Sequence, residues 1–364
     1  MLRSRTSHRY FGSAARVALP LLVAVALGFG PSLAGCGDAA TSGGAIDAGA
    51  DHDHDRLQLE PEDGSVGATG PLLLSETGLY SDFASRTIAP DVQAFAPRYE
   101  FWVDGAKKSR WLWLPPGTKI DDSAIDHFVF PIGTKAWKEF VVDGKVVETR
   151  LLMKVREGDT FGWWQAAYVW KDDGSDAVAQ LDGVTNAMGT THDVPKQSDC
   201  FNCHGNVKDT LIGVSAIQLG DPGQTPRPID AFESRGWLTT TPPTDLDVPG
   251  TGAVKDGLAY LHANCGHCHN DEATRLKSQT PMRLRLLVGQ RPEDTGALTT
   301  TIGTVMKHPL PNDVTSVVVA GVPDKSGLYI RMGLLDGYRM PPVGSKTPDA
   351  VGREAVRQLI LGMK

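Results

Sequence analysis

Two copies of one five-residue pattern, Cys200-Phe201-Asn202-Cys203-His204 and Cys265-Gly266-His267-Cys268-His269, take four of the five cysteines in this 364-residue chain. No other feature constrains its fold as strongly. A Cys-x-x-Cys-His run is the attachment signature of c-type haem: two thiols one helical turn apart add to the vinyl groups of the porphyrin, and the following histidine ligates the iron. Two runs predict two haem c groups. Cys200, Cys203, Cys265 and Cys268 are then the attachment residues, and His204 and His269 the proximal iron ligands.

Other uses of the same residues fit less well. Paired knuckles of a structural zinc site are usually about 15–20 residues apart, whereas 61 residues separate Cys203 from Cys265. Zinc also gives no reason for His204 and His269 to follow both pairs. Cys265-Gly266-His267-Cys268 carries the dipeptide of disulfide isomerases, but that fold sets the pair after a buried strand. Here Ala253 to Ala263 reads as a helix, with Val254, Leu258 and Leu261 along one face.

The fifth cysteine lies near the N-terminus. Arg3, Arg5, Arg9 and Arg16 precede an apolar run from Val17 to Phe29, followed by Leu33-Ala34-Gly35-Cys36. This reads as a secretory signal closed by a lipobox, with cleavage before Cys36 and acylation of its thiol. The run is 13 residues long and contains Pro20 and Gly28, too short against the about 20 residues of a spanning helix. With no twin-arginine pair, export of the unfolded chain is expected, followed by haem attachment. The chain is expected to be lipid-anchored to a bacterial membrane through Cys36, facing the periplasm or the exterior. Gly37 favours the outer membrane or cell surface. Loss of residues 1–35 removes four arginines and no acids, so the net charge moves from −7 to −11. Such acidity repels nucleic acid and is compatible with a basic redox partner protein.

The remainder divides by composition. Residues 36–70 are rich in Gly, Ala, Ser and Asp and read as a flexible tether. Within it, Asp51-His52-Asp53-His54-Asp55 reads as a solvated acidic run rather than a metal site. Residues 71–192 turn to period two: Arg98 to Val103, Ser109 to Leu114, His127 to Phe130, Lys135 to Val142 and Val146 to Val155, divided by Asp104-Gly105, Pro116-Gly117 and Asp143-Gly144. These are hairpin signals and predict a β-sandwich-like domain. Seven of the eight tryptophans fall in it; core packing is the expectation, and an exposed row of indoles for a glycan the alternative. Residues 193–250 form a first haem segment and 251–364 a cytochrome c domain with the second haem. The closing helix is expected to start with Thr347 as N-cap and Pro348 at its first position, with Val351, Ala355, Val356, Leu359 and Ile360 as its apolar stripe. The predicted class is thus multidomain: an N-terminal all-β, sandwich-like domain followed by a mainly α-helical cytochrome c-type haem region.

Met340, in Tyr338-Arg339-Met340-Pro341-Pro342 and 71 residues after His269, is the expected distal ligand of the second haem. The sixth ligand of the first haem stays open among Met188, His192, Met282, Met306, His308 and Met332, or the site is five-coordinate.

The chain resembles a family of exported dihaem c-type cytochromes of undefined role. The resemblance rests on Leu74-Ser75-Glu76-Thr77-Gly78-Leu79-Tyr80, Phe101-Trp102-Val103-Asp104-Gly105-Ala106, Phe130-Pro131-Ile132-Gly133-Thr134-Lys135, Val194-Pro195 and Tyr260-Leu261-His262-Ala263-Asn264-Cys265. It implies haem binding and electron transfer and supplies no substrate. Two alternatives accompany this expectation: a dihaem peroxidase-like enzyme with an open first haem, and a glycan-binding β-module with accessory haems.

Overall fold

The computed structural model describes residues 70–158, 162–221, 223–273 and 276–364. The expected signal peptide, Cys36 and the tether up to residue 69 lie outside the described residues. Among the described residues no helix is long and apolar enough to cross a membrane.

A short hairpin of β1 (Tyr80–Asp82) and β2 (Thr87–Ile88) precedes an antiparallel sheet of six strands in chain order. Its strands are β3 (Gln93–Ala94), β4 (Lys107–Trp113), β5 (Lys135–Val142), β6 (Lys145–Lys154), β7 (Trp163–Trp170) and β8 (Ala177–Gln180). Between β5 and β6, Val142 pairs with Lys145 across Asp143-Gly144. Both turn residues have positive φ, 52° and 79°. That is the hairpin geometry whose twist matches the flanking strands, and Asp-Gly tolerates it.

Because side chains alternate across a sheet, the register sorts two faces. Trp111, Trp137, Leu151 and Ala166 stand in one cross-strand row. Their face packs against Leu74, Leu79 and Val92 from the segment ahead of β3. Leu112, Ala136 and Leu152 form a row on the other face, where they meet Leu219, Ile229, Phe232 and Trp237 from the C-terminal half of the chain. The expected sandwich is therefore corrected: one meander sheet has its second face covered by helices and loops, not by a second sheet. Trp137, Trp163, Trp164 and Trp170 are all buried. The indoles of Trp137, Trp163 and Trp170 donate to Thr77, Asp209 and Thr149, so these tryptophans are core with a satisfied polar edge.

After the sheet come α1 (Gln197–His204), α2 (Ala216–Leu219), α3 (Pro228–Ser234), α4 (Gly252–Asn264), α5 (Gly296–Thr299), the β9 (Val305–Leu310) and β10 (Val314–Ser316) hairpin, α6 (Gly327–Arg331) and α7 (Ala350–Leu361). The expectation of a mainly α-helical haem region is overturned. The described residues are about 23% helix and 21% strand, and past residue 193 only α4, with 13 residues, and α7, with 12, run to three turns. The prolines and glycines between them favour loops tied by side chains over continuous helix.

α4 and α7 pack together through Leu258, Leu261, Val356, Leu359 and Ile360. Close approach depends on glycine: a Cβ at Gly352 would lie 1.8 Å from the Tyr260 ring, and one at Gly257 2.5 Å from Leu359. Asp349, not Thr347, caps α7, accepting from the amides of Val351 and Gly352 at 3.0 Å each. Thr347 instead donates its hydroxyl to Asp104 at 2.8 Å. Val351, expected in the apolar stripe, is instead 82% exposed.

Candidate cofactor-attachment site

Cys200 and Cys203 stand one turn apart in α1, and His204 ends the same helix. The ring of His204 is fixed by its Nδ1, 2.8 Å from the carbonyl oxygen of Thr210. A carbonyl only accepts, so Nδ1 carries the proton and Nε2 keeps its lone pair. Burial lowers the pKa of His204 to about 4, which leaves a neutral imidazole suited to a metal. Burial also pushes the Cys200 thiol up to about 12, against the opposing pull of Arg150.

The Thr210 carbonyl is held from behind. Asp209 and Thr210 both have positive φ, 50° and 66°. The Asp209 carboxylate meets the ammonium of Lys154 at 2.9 Å, accepts from the Trp163 indole at 2.9 Å and accepts the amide of Phe130. The sheet thereby sets the loop that sets His204.

The second run forms one turn directly after α4. The Cys265 carbonyl accepts from the amides of Cys268 at 3.1 Å and His269 at 2.9 Å. Gly266 is needed there, because a Cβ would fall 2.6 Å from the His262 carbonyl and 2.9 Å from the Arg285 Cα. Burial raises the Cys265 thiol to about 12. Burial, reinforced by His267 and Arg283, lowers His269 to about 4, and its buried Nδ1 has no hydrogen-bond partner among the described residues.

The two turns touch. The side-chain amide of Asn270 donates to the carbonyls of Asn206 at 3.0 Å, Gly266 at 2.9 Å and His267 at 3.0 Å. Asn206 in turn donates to the Asn202 carbonyl at 2.8 Å. Both asparagines are 3% exposed. This strap brings ligand atoms of Cys203, His267 and Cys268 within 4.8 Å of one another. Contact with Cys268, aided by His267, lowers the Cys203 thiol well below its usual value, while Cys268 is raised well above. No disulfide joins the four described cysteines.

Arg98 to Val103 forms no strand of the sheet. Its amides reach polar groups instead: Arg98 donates to the Gln218 carbonyl, Tyr99 to the Gln218 side chain and Trp102 to the Asn264 side chain. This segment lays Phe101 beside His267, with ring centroids 6.3 Å apart.

The expected distal ligands are scattered. Met340 is 39% exposed on the α6–α7 loop, its amide donating to the Arg331 carbonyl at 3.0 Å. His192 is buried, with Nε2 2.6 Å from Glu148. Met282, Met306 and Met332, like Cys265, are partly buried and pack against the core of the second half. Met188 packs with the tryptophan face of the sheet, and His308 is exposed on β9. Sequence reading passed over Asn206, Asp209, Thr210 and Asn270. The signal for the two asparagines was present, since an amide follows each run within two residues.

The residues fit covalent haem: two thiol pairs on single turns, each ending in a half-buried imidazole that desolvation keeps neutral. No protein-family model, curated protein or solved structure matches the chain.

Proposed function

We propose that the chain is an exported, lipid-anchored dihaem c-type cytochrome that carries electrons. The observation behind this reading is the His204 ring, whose Nδ1 is tied to Thr210 and whose Nε2 is left to bind a metal. Cys200, Cys203 and His204 would hold one haem, and Cys265, Cys268 and His269 the other, each supplying iron that cycles between ferric and ferrous states. The chain's own contribution is positioning. Asp209 fixes the carbonyl that orients His204, and the strap from Asn270 keeps the two turns in contact, so electrons pass between them over a short path.

The test is the mass and absorption spectrum of mature protein made in cells that attach c-type haem. Two haem additions that survive acid-acetone extraction support the reading; a mass without them overturns it. Low-spin spectra at both irons fit a carrier, whereas a high-spin ferric signal with rapid peroxide reaction fits the peroxidase-like alternative.

One observation favours a second reading. Cys203, Cys268 and His267 offer a thiolate and imidazole set within 4.8 Å, which suits zinc. The same preparation decides, since it would then contain one zinc per chain and no haem.

A further inference from the structure

The register of the sheet sets three cations side by side. Arg110 pairs with Lys138 and Lys138 with Arg150 across β4, β5 and β6. They point to the face opposite the Trp111–Trp137–Leu151 row. Like charges directly opposite one another destabilise a sheet, and loss of water raises the cost: Arg110 is buried, Lys138 and Arg150 half-buried. The described residues supply one carboxylate in ion-pair contact with the row. Glu148, fully buried, takes Arg150 through both oxygens, at 2.5 and 3.1 Å, and shares one of them with His192.

Arg110 and Lys138 lack such a partner among the described residues. Arg110 is 8% exposed, and its Nη2 is buried without a hydrogen bond. Lys138 meets only aromatic faces, 4.9 Å from the Phe140 centroid and 5.9 Å from that of Phe101. Phe101 is the ring that also lies beside His267. The row therefore sits one aromatic ring away from the second turn. The first turn is also near: Gln197, the first residue of α1, donates to the Gln165 carbonyl of β7 at 2.7 Å, and β7 pairs with β6, the strand that carries Arg150.

We propose that Arg110, Lys138 and Arg150 form a seat for a carboxylate, filled by a propionate of the haem attached at Cys200 and Cys203. The proposal rests on the haem reading above. A planar guanidinium matches a carboxylate through two parallel hydrogen bonds, and an anion on this row neutralises charge that the chain leaves uncompensated. A free oxyanion is the other source of the same chemistry.

The test uses the haem-loaded full chain and reads reduction potentials by spectroelectrochemistry, with the propionate bending mode followed by resonance Raman. Lys138→Gln and Arg110→Gln are compared with Lys107→Gln, which removes the same charge from the exposed start of β4. With haem content unchanged, Lys138→Gln and Arg110→Gln each weaken reduction of one haem about tenfold, about 59 mV for one electron. Each also shifts the bending mode, Lys138→Arg restores both readouts, and Lys107→Gln changes neither. Potentials and bending mode unmoved by Lys138→Gln and Arg110→Gln, or moved equally by Lys107→Gln, overturn the seat. Inorganic phosphate is the second arm: a saturable effect on the wild-type potential, lost in Arg110→Gln, assigns the row to a free oxyanion and overturns the propionate. If the protein carries no haem, the function reading fails first, and calorimetric titration with phosphate then decides the seat by whether binding occurs and disappears in Arg110→Gln.

Discussion

The ammonium of Lys154 lies 2.9 Å from the Asp209 carboxylate, with both side chains at most 2% exposed. This buried pair joins β6 to the loop that orients His204, so the sheet and the first cysteine turn are mechanically one piece. Removing one partner strands a charge in a medium that solvates it poorly. Lys154→Met is expected to cost about 3–5 kcal/mol, read as a lowered urea midpoint. Asp209→Asn, which keeps an acceptor, should cost less and still loosen the ring of His204, visible as exchange broadening of its imidazole resonances.

Asn270 answers three backbone carbonyls with one amide. Asn270→Ala leaves them in a site with little access to water, at an expected cost of about 2–3 kcal/mol. A second readout follows the geometry directly. In haem-free protein, mild oxidation should join Cys203 to Cys268, detected by peptide mapping, and Asn270→Ala should slow that cross-link. Cross-linking within each turn instead, Cys200 to Cys203 or Cys265 to Cys268, would contradict the arrangement.

His262 gives a pH dependence with a definite sign. Its buried Nδ1 accepts the Leu286 amide at 3.0 Å, and burial, with Arg285 and His267 adding to it, lowers its pKa to about 3. The unfolded chain, with an ordinary value of about 6.5, takes up a proton that the folded chain refuses. This contribution is complete above pH 6.5 and is lost as pH falls, at about 1.4 kcal/mol per unit. Between pH 6.5 and 5 the loss is about 2 kcal/mol. His262→Gln keeps an acceptor and should flatten this slope in urea midpoints measured from pH 7 to 5.

Gly352 admits the Tyr260 ring where α7 crosses α4. A methyl group would fall 1.8 Å from that ring, so Gly352→Ala is expected to cost about 1–3 kcal/mol through overpacking. Adding Tyr260→Leu should recover part of the loss, which a thermal melt of the pair would reveal.

Local rules were legible in the sequence and distant partners were not. Asp143-Gly144 fixed the β5–β6 hairpin because the turn chemistry lies in adjacent residues, and Lys135–Val142 matches β5. Arg98 to Val103 has the same alternation, yet its hydrogen-bond partners are Gln218 and Asn264. No periodicity within six residues announces a side chain more than a hundred positions away. The cysteine turns were readable as motifs. That Asn206 and Asn270 press them together was not, because pairing of buried amides depends on the completed fold. The helical expectation failed for a related reason. The apolar stripes of α4 and α7 are genuine, but the segments between them are held by caps such as Asp349 and by ion pairs rather than by helix periodicity.

The strap from Asn270 also dictates an order of assembly. As the chain is released N-terminus first, the meander can close once residue 180 is free, whereas the partner of the Asn206 carbonyl follows 64 residues after Asn206 itself. Throughout that interval the earlier pair of thiols stays uncovered by the later one. A reagent that reached the thiols in that interval would meet two separate pairs, whereas the finished molecule holds Cys203 beside Cys268.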